Sequence, residues 1–148
     1  MKKEDFVGIN ENRMKHIIGV ANKCYELAKE KYHLEEADCR KAYLYGYLHD
    51  VGYAFAEDAS KHLQTGYDLV LNGLGVAITE IKDHGNPNAE QTLFLRIVNE
   101  ADMTVGSSGD PVTVMERLLD NQKRHNMKTI SQGRLLLAKN LGLIEEDK

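Results

Sequence analysis

Residues 35–50 read EEADCRKAYLYGYLHD and run on into Val51-Gly52. The apolar positions recur at helical spacing. The stretch therefore predicts a helix from about Glu35 to Asp50 that stops at Gly52, a usual residue for leaving a helix. His49 falls on the same face as Ala42 and Tyr45, because positions four and seven apart share a face. A titratable His-Asp pair thus borders an apolar stripe at a helix end.

The flanking sequence has the same periodicity. Upstream, a helix is expected from about Glu11 to Tyr32, with Asn10 as its N-cap and Met14, Ile17, Ala21, Cys24 and Ala28 on one face. Downstream, a third helix starts near Ser60 and ends at Asn72-Gly73. A fourth spans Val76 to His84 and stops at Gly85, with Pro87 beyond it. A fifth, about Asn88 to Met103, carries Leu93, Phe94, Ile97, Val98 and Ala101. After a Gly/Ser loop at Gly106–Gly109, Asp110-Pro111 reads as an N-cap with proline in the first turn. It opens a sixth helix that reaches about Arg124. Ser131 caps a last helix through Leu135, Leu136 and Leu141, ending at Gly142. Nothing reads as a strand pair joined by a hairpin turn. The expected fold class is all-α, a compact bundle of six or seven short helices.

A chain of 148 residues fits one domain, 1–148, and has no room for two independent cores. Lys+Arg 19 against Asp+Glu 23 gives a net charge of -4, so no bulk positive field invites a nucleic acid polymer. Cys24 and Cys39 lack metal-knuckle spacing and read as reduced thiols inside helices. Met1-Lys2-Lys3-Glu4-Asp5 precedes no apolar signal core, and no run of eighteen or more apolar residues occurs. A cytoplasmic location and no membrane partner are expected.

The same conflict of character and position recurs on five helices. His16 shares a face with Val20, Cys24 and Leu27, and His49 with Ala42 and Tyr45. His62 lines up with Gly66, Leu69 and Val70, His84 with Ala77 and Ile81, and Asp102 with Phe94 and Val98. Burying one neutral polar group unpaired costs roughly 2–7 kcal/mol, and an ion far more. Five such errors are hard to reconcile with marginal net stability. If the five converge, metal ions satisfy them together, since neutral imidazole and ionised carboxylate are the forms that ligate. Each residue also has a plainer reading. His84 could complement a helix dipole, His62 could be solvated, Asp102 could be an exposed acid and His16 a hydrogen-bonded core histidine. His33 and His125 read as solvated surface residues.

Three segments together resemble the HD-domain superfamily of metal-dependent phosphohydrolases. Arg13-Met14-Lys15-His16 resembles its opening R-x-x-H helix, Leu48-His49-Asp50-Val51-Gly52 its central L-H-D-h-G element, and Ala101-Asp102 its closing A-D. Lys61-His62 and Asp83-His84-Gly85 complete an H…HD…H…H…D order. That order resembles the dinuclear branch, and within it the small bacterial enzymes that split diadenosine tetraphosphate symmetrically. Tyr53 stands where the cyclic-dinucleotide members carry lysine, and no Gly-Tyr-Pro occurs. Glu57-Asp58 is a poorly spaced echo of the acidic pair in (p)ppGpp hydrolases. Beyond Gly106 no functional motif is recognised.

The resemblance implies that Asp50 bridges two metals, that His16, His49 and Asp102 complete one site, and that His62 and His84 hold the second. It implies hydrolysis of a nucleotide or dinucleoside polyphosphate by a water that the two cations acidify. The imidazole-rich set favours Fe or Mn, with Co, Ni or Zn as alternatives, over Mg or Ca. Asp50 and Arg13 are then the candidate catalytic residues. Arg13 offers a planar fork for phosphate one turn before His16, and Lys61 is a second substrate-binding candidate. A small phosphorylated compound is the expected partner, and homo-oligomerisation stays open. Two other readings stand beside this one: a mononuclear nucleoside monophosphate phosphatase, in which His62 and His84 bind no metal, and a non-catalytic helical binding or regulatory module.

Overall fold

The computed structural model describes residues 9–54, 61–124 and 128–144. Within them lie seven α-helices: α1 (Glu11–Glu26), α2 (Glu36–Leu48), α3 (His62–Leu74), α4 (Thr79–Asp83), α5 (Leu93–Met103), α6 (Val114–Arg124) and α7 (Gln132–Asn140). The expected all-α architecture is what is found. Among the described residues the one β-type pairing is an isolated bridge between Val105 and Pro111. None of these helices is long and apolar enough to cross a membrane.

The chain enters α1 through Asn10, whose side chain accepts the Arg13 amide at 2.8 Å and so satisfies one orphan donor of the first turn. The helix does not run uniformly to Tyr32. It widens into a π-helical turn over Leu27–Lys31, where the Tyr32 amide reaches back to the Leu27 carbonyl. The exit residue His33 has φ 54° and is exposed, in line with its surface reading.

Helix α1 lies tightly on α2, and two small residues make that approach feasible. A Cβ on Gly46 would stand 2.7 Å from Cys24 Sγ and 3.0 Å from Ala21 Cα. Across both helices runs α5, the most deeply placed element, in which every residue from Ile97 to Met103 is buried. Val20, Cys24, Ala28, Cys39, Ala42, Ile97, Val98 and Ala101 form the main core. A second core joins Met103 at the end of α5 to Val114 and Leu118 of α6 and to Leu137 and Ala138 of α7. The C-terminal third is thereby docked on the element that carries Asp102.

Several expected boundaries shift, each for a local reason. Helix α2 ends at Leu48, and Gly52 lies in a 3-10 turn (Val51–Ala54) rather than at a left-handed exit. Its Cβ would fall 1.8 Å from the His62 carbonyl oxygen, so glycine serves close backbone approach there. Helix α3 ends at Leu74 with Gly75 (φ 71°) as its left-handed cap, two residues past Gly73. Helix α4 starts at Thr79, leaving Val76 and Ala77 exposed, so His84 shares its buried face with Ile81 alone. Helix α5 starts at Leu93 rather than Asn88, because Asn86 takes the Asn88 amide onto its side chain in a local turn. Leu93 is exposed, and Leu95 is buried instead.

Asp110-Pro111 does not open α6. Backbone bonds from Gly106 N to the Asp110 carbonyl (2.7 Å) and from Val112 N to the Thr104 carbonyl (3.0 Å) hold that segment extended. Thr113 and Glu116 exchange side-chain bonds with each other's amides and form the actual cap. Ser131 does cap α7, accepting from the Arg134 amide. Ser60, Glu57-Asp58 and His125 lie outside the described residues.

Candidate metal centre

His16 projects from the middle of α1, and His49-Asp50 follow the end of α2. His62 is the first residue of α3, His84 follows α4, and Asp102 is the penultimate residue of α5. The fold brings all six side chains together. The Asp50 carboxylate stands at the middle and divides its neighbours between its two oxygens. Oδ2 faces His49 Nε2 at 3.3 Å and His16 Nε2 at 3.7 Å, while Oδ1 faces His84 Nε2 at 3.3 Å and His62 Nε2 at 3.6 Å. Asp102 Oδ1 closes the first side, 2.9 Å from His16 Nε2 and 3.4 Å from His49 Nε2.

The ring orientations follow from backbone carbonyls. Nδ1 of His16 lies 2.9 Å from the Gly106 oxygen, that of His49 2.6 Å from Gly46, and that of His84 2.7 Å from Ile81. A carbonyl can only accept, so each Nδ1 carries the hydrogen. In its neutral, metal-ligating form each ring would turn an Nε2 lone pair toward the cluster, the arrangement metal-bound histidines use. Glycines set two of these contacts. Gly109 (φ 87°) sits where a Cβ would be 2.5 Å from the Lys15 carbonyl oxygen, which presses the 106–109 loop against α1. Gly85 (φ 82°) turns the chain after His84, and its amide is held at 2.8 Å by Asn99 Oδ1 from α5.

Two sets of mutually close donors emerge: His16, His49 and Asp102, and His49, Asp50 and His84. Atoms about 2.1 Å from one ion stand about 3.0 Å apart at right angles and about 3.4 Å apart in a tetrahedron. The separations above fall around that range. Buried His49 Nε2 has no hydrogen-bond partner, an orphan that a cation would satisfy. The residues present therefore fit a divalent metal.

Electrostatics agree. Burial alone would suppress charge on His49, yet the neighbouring Asp50 and Asp102 carboxylates outweigh it and raise its pKa to about 10. Burial likewise opposes ionisation of the two acids. Asp50 is nevertheless held well below the usual carboxylate range, chiefly by His49, and Asp102 by its hydrogen bond with His16 and by the nearby His49. The cluster is built to stabilise positive charge at its centre.

Arg13 lies on the same face, with NH1 3.3 Å from Asp50 Oδ2 and its guanidinium 3.9 Å over the Tyr53 ring. Tyr53 also stacks on His62 at 4.1 Å, so it packs a candidate ligand here. Lys61 is exposed and is not among the residues that line the cavity beside the cluster. That cavity, about 200 Å³, is bounded by Arg13, Asp50, Tyr53, His62, His84 and two arginines the motif reading missed, Arg117 and Arg134. Arg117 is buried. Its Nε donates to the Asp102 carbonyl at 3.1 Å, and NH2 lies 3.6 Å from Asp102 Oδ1. A signal for it existed, because Arg117 shares the buried face of α6 with Val114, Leu118 and Asn121.

No curated protein and no solved structure matches this chain. The HD domain model matches residues 13–105, nearly two thirds of the chain, from Arg13 to just beyond Asp102. All six clustered residues lie inside that span, and the chain belongs to the HD-domain family.

Proposed function

We propose that this chain is a dinuclear metal-dependent phosphohydrolase acting on a nucleotide or a dinucleoside polyphosphate. The carrying observation is the division of labour at Asp50, one oxygen toward His16 and His49, the other toward His62 and His84. A carboxylate so placed can serve two ions at once. The imidazole-rich donor set suits Fe or Mn, with Co, Ni or Zn as alternatives. Bound cations would supply the Lewis acidity that makes water nucleophilic near neutral pH and neutralises charge on the phosphoryl group.

The chain's own residues do the rest. Carbonyl-anchored histidines hold their rings fixed, so little reorganisation accompanies turnover. Arg13, steadied on Tyr53, presents its planar donors to a phosphate in the cavity, and Arg117 and Arg134 add charge to its lining. Asp102, gripped by Arg117 from behind, keeps its Oδ1 against His16 and His49.

One observation favours a mononuclear enzyme instead. His62 belongs to neither set of mutually close donors, and its side chain is 16% exposed. Metal analysis on protein purified without chelators separates the two. The dinuclear reading expects about two ions per chain, falling toward one in His84→Ala and in His62→Ala. A metal-replete content of one, unchanged in both variants, rejects it and leaves the mononuclear phosphatase. Loaded protein inert across a nucleotide and dinucleoside polyphosphate panel would point to the binding module.

A further inference from the structure

Beside the cavity at the cluster lies a second, smaller one of about 130 Å³. Its walls are Asn10 and Asn12 at the start of α1, Ser107 from the 106–109 loop, and Arg13, Arg117 and Arg124, with His16 at the inner end. Arg13 and Arg117 line both cavities, so the two adjoin through a shared arginine wall. Three guanidinium groups face this pocket and no carboxylate lines it, in a chain whose net charge is -4. Asp120, which is not among its lining residues, ties Arg117 (3.9 Å) and Arg124 (3.8 Å). Arg13 is also paired with Asp50 (3.3 Å) and Arg117 with Asp102 (3.6 Å), so what the pocket offers a phosphate is three guanidinium forks on a wall without carboxylates rather than a surplus of charge.

Size and chemistry narrow the occupant further. At about 30 Å³ per water, the pocket holds roughly four waters' volume. That suits a group of five non-hydrogen atoms such as phosphate. The asparagine and serine side chains add neutral donors around the arginine forks, the mixture that recognises phosphate oxygens.

We infer that this side pocket holds a second phosphate of the substrate, covalently linked to the one at the cluster. The substrate class is therefore compounds with a di- or polyphosphate chain, and a lone monophosphate leaves the pocket unused. The inference rests on the hydrolase reading for its direction, since the cluster defines which phosphate is attacked. It adds α6 and the 106–109 loop to the recognition surface.

The test is calorimetric titration of the full, metal-loaded chain with inorganic pyrophosphate and with orthophosphate. Wild type should bind pyrophosphate at least tenfold more tightly than orthophosphate. Arg124→Glu, on the exposed last turn of α6, should remove that preference, and Ser107→Asp, placing a carboxylate in the lining from the 106–109 loop, should do the same. A thermal melt of each variant establishes that it is folded. Folded variants that both keep the wild-type preference overturn the inference. So does a wild type without the preference, or an equal loss of both anions, which would mean a site for free phosphate only. If the metal count or hydrolysis fails while the Arg124-dependent preference persists, the hydrolase reading falls and the pocket stands. If hydrolysis succeeds and the preference ignores Arg124, the reverse holds.

Discussion

Gly52→Ala probes the joint between the two halves of the cluster. Asp50 and His62 come from segments that cross at Gly52, where the 3-10 turn touches the start of α3. A Cβ there would lie 1.8 Å from the His62 carbonyl oxygen, 2.6 Å from Gly66 N and 2.8 Å from His62 C. All three are backbone atoms, so no side chain can swing aside. Reaching ordinary contact at 3.4 Å requires the turn and α3 to part by about 1.6 Å. Overpacking of this kind costs about 1–3 kcal/mol and occasionally more. At roughly 2–4 °C per kcal/mol for a chain of this size, the melting temperature should fall by up to about 12 °C. Gly73→Ala is the control on the same helix, where a Cβ meets nothing within 4 Å. It should stabilise by about 0.5–1 kcal/mol, because alanine loses less backbone freedom in a helix. Thermal melts of chelator-treated wild type and both variants decide the matter without reference to metal. If Gly52→Ala melted within about 2 °C of wild type, the close crossing would be wrong.

Chelation should lower the melting temperature, and Mn or Fe should restore it, since bound ions would tie α1, α2, α3, α4 and α5 at one point; identical melts before and after complete demetallation contradict that tie. Arg117→Ala should destabilise by about 3 kcal/mol, the cost of stripping one partner from a largely buried charge pair. Arg117→Lys keeps the charge but loses the Nε bond to the Asp102 carbonyl, so a melt matching wild type would mean that this bond contributes little. Cys24 and Cys39 are both free and fully buried, and burial pushes the Cys24 thiol well above its ordinary range. Neither should react with a thiol reagent until denaturant unfolds the chain, and rapid labelling of native protein would show the α1–α2 interface to be open.

Helical period and caps carried most of the fold, because the cues are local. Asn10 and Ser131 cap as their side chains dictate, and Gly85 and Gly142 are left-handed where helices or turns end. Misjudged boundaries came from competition that period cannot see. Asp110-Pro111 has the chemistry of a helix start, but pairing of residues 104–106 with 110–112 claims its backbone first. Gly52 resembles a helix stop, yet its reason is the approach of α3, a contact ten residues away in sequence.

The cluster was legible for a different reason. His16, His49, His84 and Asp102 each contradict the apolar stripe they occupy, and such a contradiction demands a common partner. The motif resemblance ends at Gly106, but nothing in this contradiction requires a motif. Applied to α6, it selects Arg117 and Asn121 on the buried face beside Val114 and Leu118. Arg117 then needs a buried acid, and Asp102, at the end of the helix on which α6 docks, is the one it meets. Arg124 stays invisible to this reasoning, because it is exposed and breaks no stripe. Its place in one pocket with Arg13 and Ser107 depends on where the end of α6 comes to lie relative to the start of α1, and only the tertiary structure supplies that. Residues that ligate are forced into the core and betray themselves, whereas residues that select a substrate stand at the rim, where sequence period carries no penalty to read.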